Sequence, residues 1–510
     1  MAALTFGVEL EAAYFYTRKS EELENAADDL PPMVDMTYDA WKERNPKIPR
    51  CEYYKKCERD DDMARLLTYE IHQFVGGLPK DLRGEPIPPT GNPLQDSYRG
   101  WKVEADLSIK LDEEDHDGLE YTGLEVISPA MYAAENAFRE VKAVTDWLRK
   151  AFRAAVPPSC GLHVHVGQGP ALFPLETLQK LAAVCWAGDT LLQQMHPVSR
   201  RFNDHCLGPR VKSNLAEGDK VENYHTANDD FSVSTMKKLL SKLVASRWEA
   251  GARTSVTTTT TTPSIQNVIN LGKARRLMTK GFTRTLPRTK HAVMPSKEER
   301  DVCDRPIYSI NIPDEPFELR QGHDIMTGTT EIFRCLNLNA VASLMSSTAR
   351  GAYNFENYLD IKRNAKDGPY EAANKTVEFR QAAASLDGHW VATYARICVG
   401  MTRFAQDARM PDLWRLVYEC HLAEKSHHIY DVLDLLLDLG LPTEAKVVQN
   451  RLQKGAHVAE MLKPFLSGAD CLACNHLHEL MQTDRRNNDL PFELIDQSKL
   501  QDYWGKCGQW

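Results

Sequence analysis

The sequence predicts an α+β fold in which an antiparallel sheet packs against helices and a helical region follows at the C-terminal end. Three observations predict it. Short segments alternate between apolar and polar residues (FGVELE, YTGLEVIS, GLHVHV, TVEFR), amphipathic runs of helical period separate them, and helical patterning dominates after the last of them. With 510 residues, 42% of them hydrophobic and 26% charged, the chain can bury one large core or two ordinary ones, at roughly 100 to 200 residues per domain.

The first strand is expected in Leu4 to Ala12. Residues 21–100, polar, rich in Pro and Asp and only patchily periodic, read as an elaborated loop or insertion. From Trp101, WKVEADLSIKL and YTGLEVIS flank the acidic turn DEEDHDG, the spacing of a wide hairpin with a long exposed connection. After Ser128-Pro129 a helix is expected, because Phe138, Val141, Val144, Leu148 and Phe152 recur at steps of three and four; its end falls near Val156-Pro157-Pro158. CGLHVHVG supplies a third strand, Leu175, Leu178, Leu181 and Cys185 the stripe of a second helix, and Leu239, Leu240, Leu243 and Val244 that of another. Between Gly251 and about Asp301 the composition changes abruptly to a threonine run, Thr257 to Thr262, and a basic segment, expected as a mobile insertion. Ordered patterning returns with YSINIP, IFRCLNLNAV and TVEFRQA, and the chain then reads as helical to about Leu466. The expected organisation is a catalytic domain over 1–405 and a helical region over 406–510, without internal repeats.

A net charge of -9 creates no positive field to gather nucleic acid or an anionic membrane surface, so neither is expected as a partner. The N-terminal MAALTFGVELEA has no basic segment leading into an apolar run, and no window approaches the roughly 18 apolar residues of a membrane span. A cytoplasmic location is therefore expected. Twelve cysteines are too sparse in this length for a disulfide framework; most are expected to be reduced and buried.

Strand side chains alternate faces, so polar residues at i and i+2 point the same way. Glu9 and Glu11 oppose Phe6, Val8 and Leu10; His163 and His165 oppose Leu162, Val164 and Val166; Glu378 and Arg380 oppose Val377 and Phe379. An isolated Glu-x-Glu can be the solvated face of an edge strand, and an isolated His-x-His two satisfied polar residues. Three such pairs backed by apolar faces are costly without a cation among them. Carboxylates with an occasional imidazole suit hard ions such as Mg2+ or Mn2+, and Glu9, Glu11, Glu125, His163 and Glu378 form the candidate ligand set.

Together FGVELE, the Asp-x-Ser of EADLS, LEVISP, CGLHVHVG, LNLNAV and TVEFRQ resemble the amidoligase family, a branch of the glutamine-synthetase-like carboxylate-amine ligases. The landmarks span residues 4 to about 400. The resemblance implies a glutamine-synthetase-like curved antiparallel sheet whose concave face carries the acids, histidines and arginine. It further implies ATP and Mg2+ (or Mn2+) as cofactors, and amide or isopeptide formation through an acyl-phosphate from small-molecule or peptide carboxylate and amine substrates. Carried over by motif, Glu9 and Glu11 split between two metal positions, Glu125 adds a carboxylate, and His163 and Glu378 complete the metal nearer the nucleotide phosphates. Arg380 then meets the transferred phosphate or the substrate carboxylate, and His165 contacts the nucleotide or orients His163.

Other candidates divide between function and structure. Asp106 could bind a metal or the amine, or be a solvent-facing strand position; Arg200 could neutralise phosphate or cap a helix C-terminus. Asn337 and Asn339 could contact nucleotide or order a loop. Cys471, Cys474, His476 and His478 have zinc-compatible types, but the histidines follow too closely for the usual spacing, which favours a helix with buried cysteines. The alternatives to a ligase are a phosphotransferase of the same fold and a nucleotide-binding pseudoenzyme. Oligomeric state is open.

Overall fold

The computed structural model describes residues 3–18, 31–36, 59–91, 96–111, 119–157, 159–197, 200, 205–221, 282–286, 322–346, 351–359, 375–425 and 429–453. The segments DEEDHDG, YSINIP and CLACNHLH, the stripe around Leu239 and most of the insertion at 251–301 lie outside them. The chain divides into two compact units interleaved along the sequence. Unit 1 comprises Met1–Leu172, Asp304–Asn311 and Glu371–Val399, and unit 2 comprises Phe173–Cys303, Ile312–Tyr370 and Gly400–Trp510.

Unit 1 is mixed α/β, and a largely antiparallel open sheet organises it. Its spine is β1 (Thr5–Thr17), 13 residues long, which runs past the expected end because AAYFYT continues the strand with apolar and aromatic side chains that find partners. Two short strands, β2 (Val34–Asp35), parallel, and later β5 (Met131–Tyr132), antiparallel, pair with its ends. The expected hairpin is present as β3 (Lys102–Ala105) and β4 (Glu120–Ile127), antiparallel to each other, with β4 on one edge of β1. On the other edge lie β7 (Gly161–Gly167) and, beyond it, β8 (Thr376–Ala383), so the order is β3-β4-β1-β7-β8.

The even-numbered face of β1 is core. Phe6, Val8 and Leu10 are buried, and the Phe6 ring stacks on Phe138 of α2 (Glu135–Ala151) with centroids 4.5 Å apart. The expected stripe of α2 is buried at Phe138, Val141, Val144 and Leu148, each side chain contributing about 1.5–3 kcal/mol through burial. The helix ends at Ala151 rather than near Pro157. Phe152 is its extended C-cap, the Arg153 N–H donates to Pro32, and Ala154–Ala155 becomes β6 against Ala13 and Tyr14. Pairing with an open stretch of β1 thus displaces the last helical turn.

Part of the presumed loop over 21–100 is helical: α1 (Arg59–Gly77). Met63, Leu67 and Ile71 are buried at four-residue steps, Phe74 stacks on Trp147 of α2 at 4.9 Å, and the Thr68 hydroxyl accepts from the Val103 N–H at 2.9 Å. Ala64 and Leu66 are buried beside this stripe, but charged and polar residues on both sides of it make its periodicity faint in the sequence.

In unit 2, α3 (Leu175–Leu192) is buried on nearly every side rather than along one stripe, because Ala182, Ala183, Val184 and Ala187 fill the gaps between its leucines. Around it pack α4 (Ile325–Arg334), α5 (Leu338–Met345), α7 (Met410–Lys425) and α8 (Val432–Asp438); α6 (Gly388–Asp407) begins in unit 1. Gln179 of α3 donates to the carbonyls of Ile332, Phe333 and Cys335, closing the C-terminal end of α4. Residues 442–453 are helical. Cys160, Cys185, Cys206, Cys335, Cys398 and Cys420 are buried and outside any disulfide. Among the described residues no helix is long and apolar enough to cross a membrane.

Candidate metal and active site

Strand register converts the i, i+2 pairs into one cluster on the odd-numbered face of β1. In the antiparallel ladders, Glu9 lies opposite His163 and Glu11 opposite Glu125, while His165 lies opposite Glu378. Directly opposed residues share a face with Cβ atoms roughly 4.5–5.5 Å apart, so four adjacent strands deliver acids and imidazoles to one place. Between Leu162 and Val164 of β7 the pairing with β8 shifts by a residue, Ala382 facing the first and Phe379 the second. Arg380 and Gln381 therefore oppose His163 alone, a β-bulge of the kind that re-aims side chains.

His163 is the hub. Its Nδ1 lies 3.3 Å from Glu9, and 3.8 Å from both Glu125 and Glu378; its Nε2 lies 3.4 Å from Glu11. His165 Nε2 is 3.0 Å from Glu9 and 3.8 Å from Glu378, and its Nδ1 is 3.1 Å from the Thr376 hydroxyl. Arg380 is hydrogen-bonded to the Glu378 carboxylate. Two sets of three ligand atoms, each set within 4.8 Å of one another, emerge: Glu9, Glu125 and His163, and Glu9, His165 and Glu378. Glu9 is common to both.

The electrostatics show how much negative charge the cluster contains. Burial alone would raise Glu9 and Glu378, but His165 opposes it, with His163 hydrogen bonding to Glu9 and Arg380 acting on Glu378; Glu9 is held well below the usual range and Glu378 at about 2. Burial would lower His165, yet Glu9 and Glu378 hold it at about 9. Glu125 takes the remaining strain: burial and repulsion from Glu9 and Glu11, with a smaller push from Asp106, raise it to about 10. At neutral pH the cluster thus keeps protons on Glu125 and His165, positive charge that a divalent cation would replace. The donor set of carboxylate oxygens and imidazole nitrogens fits Mg2+ or Mn2+.

Of the five expected ligands, Glu9, Glu125, His163 and Glu378 fall in the two sets. Glu11 stands beside them: its Oε2 accepts from the Gly161 N–H at 2.5 Å while its Oε1 approaches His163, a geometry that orients the imidazole. His165, expected at the nucleotide or behind His163, is itself in a ligand set, and it is His165 rather than His163 that groups with Glu378. Asp106 sits in the turn after β3, accepting from the Ser108 N–H at 2.8 Å, at the electrostatic fringe of Glu125. Arg200 and Asn337 belong to unit 2. Arg200 is buried there, and Asn337 is the N-cap of α5, its side chain accepting from the Ala340 N–H. Thr376, which orients His165, was not singled out from the sequence, although it stands two residues before Glu378 and the same alternation rule reaches it.

Residues 2–242 match a family model described as "Putative amidoligase enzyme". This segment is similar to the amidoligase family. The family is one of ligase enzymes, and its match contains Glu9, Glu11, Asp106, Glu125, His163 and His165. It stops before Glu378, which the sheet nonetheless sets opposite His165, and before Arg380, which is hydrogen-bonded to Glu378. No curated protein and no solved structure shows a match to the chain.

Proposed function

We propose that the chain is an ATP- and Mg2+-dependent carboxylate-amine ligase, forming an amide or isopeptide bond through an acyl-phosphate on a glutamine-synthetase-like sheet. The observation that carries the proposal is the pair of three-ligand sets sharing Glu9, with Arg380 bound to Glu378 at their edge. A shared carboxylate holds two cations close together, as two-metal phosphoryl-transfer sites require. Phosphoryl transfer demands neutralisation of charge on the oxygens in flight rather than covalent help from the protein. Glu9, Glu125 and His163 would hold one cation, and Glu9, His165 and Glu378 the other. Arg380, a planar fork raised above its ordinary pKa by Glu378 against the opposing effect of burial, suits the phosphoryl oxygens or the substrate carboxylate.

In this scheme a carboxylate oxygen attacks the γ-phosphorus of ATP and ADP leaves. The amine nitrogen then attacks the acyl carbon, phosphate leaves, and the nitrogen gives up a proton. Asp106 is the candidate for holding the amine. The substrates are a small-molecule or peptide carboxylate and an amine, and the setting is cytoplasmic.

Purified protein with MgATP and a pool of amino acids and short peptides, followed for phosphate release and new masses together, tests the proposal. The expected product is lighter than its two substrates by one water. A stable phosphorylated product without an amide would instead identify a phosphotransferase, and nucleotide binding without turnover a pseudoenzyme.

A further inference from the structure

A pocket of about 70 Å3 opens on the odd-numbered face of β1, where Glu9 and His165 form part of its lining together with Gly7 and Thr376. Gly7 lies directly opposite His165 in the β1-β7 ladder, and its missing side chain leaves room where a neighbour on that face would stand. Ile127 lies directly opposite Glu9 on β4, so an apolar wall begins one strand spacing from the shared carboxylate. The rest of that wall is preformed. Ile87 donates its N–H to the Ala130 carbonyl at 2.9 Å, Ala130 donates to the Tyr98 carbonyl at 2.8 Å, and the Lys102 ammonium lies 4.3 Å from the Tyr98 ring centroid. Lys375 joins His165 among the basic residues that line the pocket.

Size and chemistry narrow the occupant. The volume is about half of the roughly 150 Å3 that accommodates benzene in a protein interior, which suits a branched alkyl group of about three or four carbons and not an aromatic ring. A charged or amide group against Ile87, Ile127 and Ala130 would lose hydration without recovering hydrogen bonds. Because Glu9 and His165 belong both to the pocket and to a ligand set, the alkyl group must be attached within a bond or two of the carboxylate held at the cations, with Lys375 supplying further positive charge.

We propose that this pocket is the side-chain subsite of the carboxylate substrate, and that the substrate is an aliphatic α-amino acid, or a peptide ending in one, of valine or leucine size. The assignment of the alkyl group to the activated partner rests on the ligase proposal above. The test is calorimetric binding of valine, leucine, phenylalanine and glutamate to the full-length protein with Mg2+, which requires no turnover. Valine or leucine should bind at least ten-fold more tightly than the other two. Ala130→Leu should remove that binding by at least ten-fold, and Ile127→Ala, which enlarges the pocket, should shift the preference towards phenylalanine. Equal or tighter binding of glutamate overturns the proposal, as does an unchanged preference in Ile127→Ala that melts like the parent. Selective aliphatic binding without phosphate release keeps the pocket and removes the ligase, whereas amide formation on glutamate keeps the ligase and removes the pocket.

Discussion

Cation uptake should expel protons, and their number can be worked from the cluster. In the metal-free protein, burial and repulsion from Glu9 and Glu11 push Glu125 to about 10, and Glu9 and Glu378 hold His165 at about 9 against burial. At pH 7.5 each group is then more than about 95% protonated. A metal ligand must give up its proton, and Glu125 and His165 belong to different ligand sets, so filling both should release about two protons per chain. Apparent affinity should correspondingly rise about ten-fold per pH unit for each coupled proton between pH 7 and 8.5. Calorimetric titration with Mg2+ or Mn2+ in buffers of different ionisation enthalpy reads the number directly, as the slope of observed heat against buffer enthalpy. Glu125→Gln and His165→Asn should each lower it by about one. A slope near zero in the parent protein, with cation bound, would refute the proposed ligand sets.

Glu9→Ala or Glu378→Ala should abolish nucleotide turnover without altering the circular dichroism spectrum; full activity in both would remove the site. Arg380→Lys keeps the charge but loses the fork, so kcat should fall roughly 10- to 100-fold while Mg2+ affinity moves only a few-fold, a split visible in steady-state kinetics against calorimetry. Glu11→Ala leaves the buried Gly161 N–H without its acceptor and should cost about 1–3 kcal/mol, measured as a lower urea midpoint. Metal-free stability should fall with rising pH. The raised His165 stabilises the fold fully below its unfolded value near 6.5 and loses that effect as pH passes about 9, and the raised Glu125 acts in the same direction above 4.5. The depressed Glu378 works oppositely in acid, losing its contribution between 4.5 and about 2. Urea midpoints across pH 6.5 to 9 should decline without Mg2+ and flatten with saturating Mg2+; a flat metal-free profile contradicts the assigned protonation.

The polar pairs were legible because strand alternation is local: two residues apart on a strand means one face, whatever the rest of the chain does. Which pairs meet is not local. The resemblance implies His163 with Glu378; the β7-β8 register sets His165 opposite Glu378 and both imidazoles lie 3.8 Å from its carboxylate, while the bulge at Arg380 leaves no trace in residue types. Asn337 has two readings from the sequence, ordering a loop or contacting nucleotide; its bond from the Ala340 N–H is a structural role of the first kind, since an asparagine just before an apolar helical run is a common N-cap. Helix α1 was obscured for the opposite reason: Met63, Leu67 and Ile71 make a correct stripe, but aspartates and polar residues crowd it so closely that burial becomes evident only once α2 and β3 are in place.

The odd-numbered face of β1 shows how one strand can build a reaction chamber. At its beginning Thr5 and Gly7 line the pocket; in the middle Glu9 and Glu11 meet both histidines; at its end Ala13 and Phe15 pack with Met33, Ile109, Leu111, Cys160 and Ala384 into a small apolar cluster. That last cluster lies beyond Glu11 on the same face, where it would keep water from one side of the carboxylates. Poor solvation strengthens every charge interaction there; burial, with repulsion from Glu9 and Glu11, holds Glu125 at about 10. An acyl-phosphate is lost to hydrolysis wherever water reaches it. The same apolar residues that make the unfilled cluster electrostatically costly would therefore protect the intermediate once cations occupy it, so stability without metal and retention of the intermediate should trade against each other along this strand. Ala13→Ser or Phe15→Thr, letting water in, should ease the pH dependence of the metal-free protein while raising phosphate release that yields no amide; if both stay at parental values, the apolar cluster is only a packing feature.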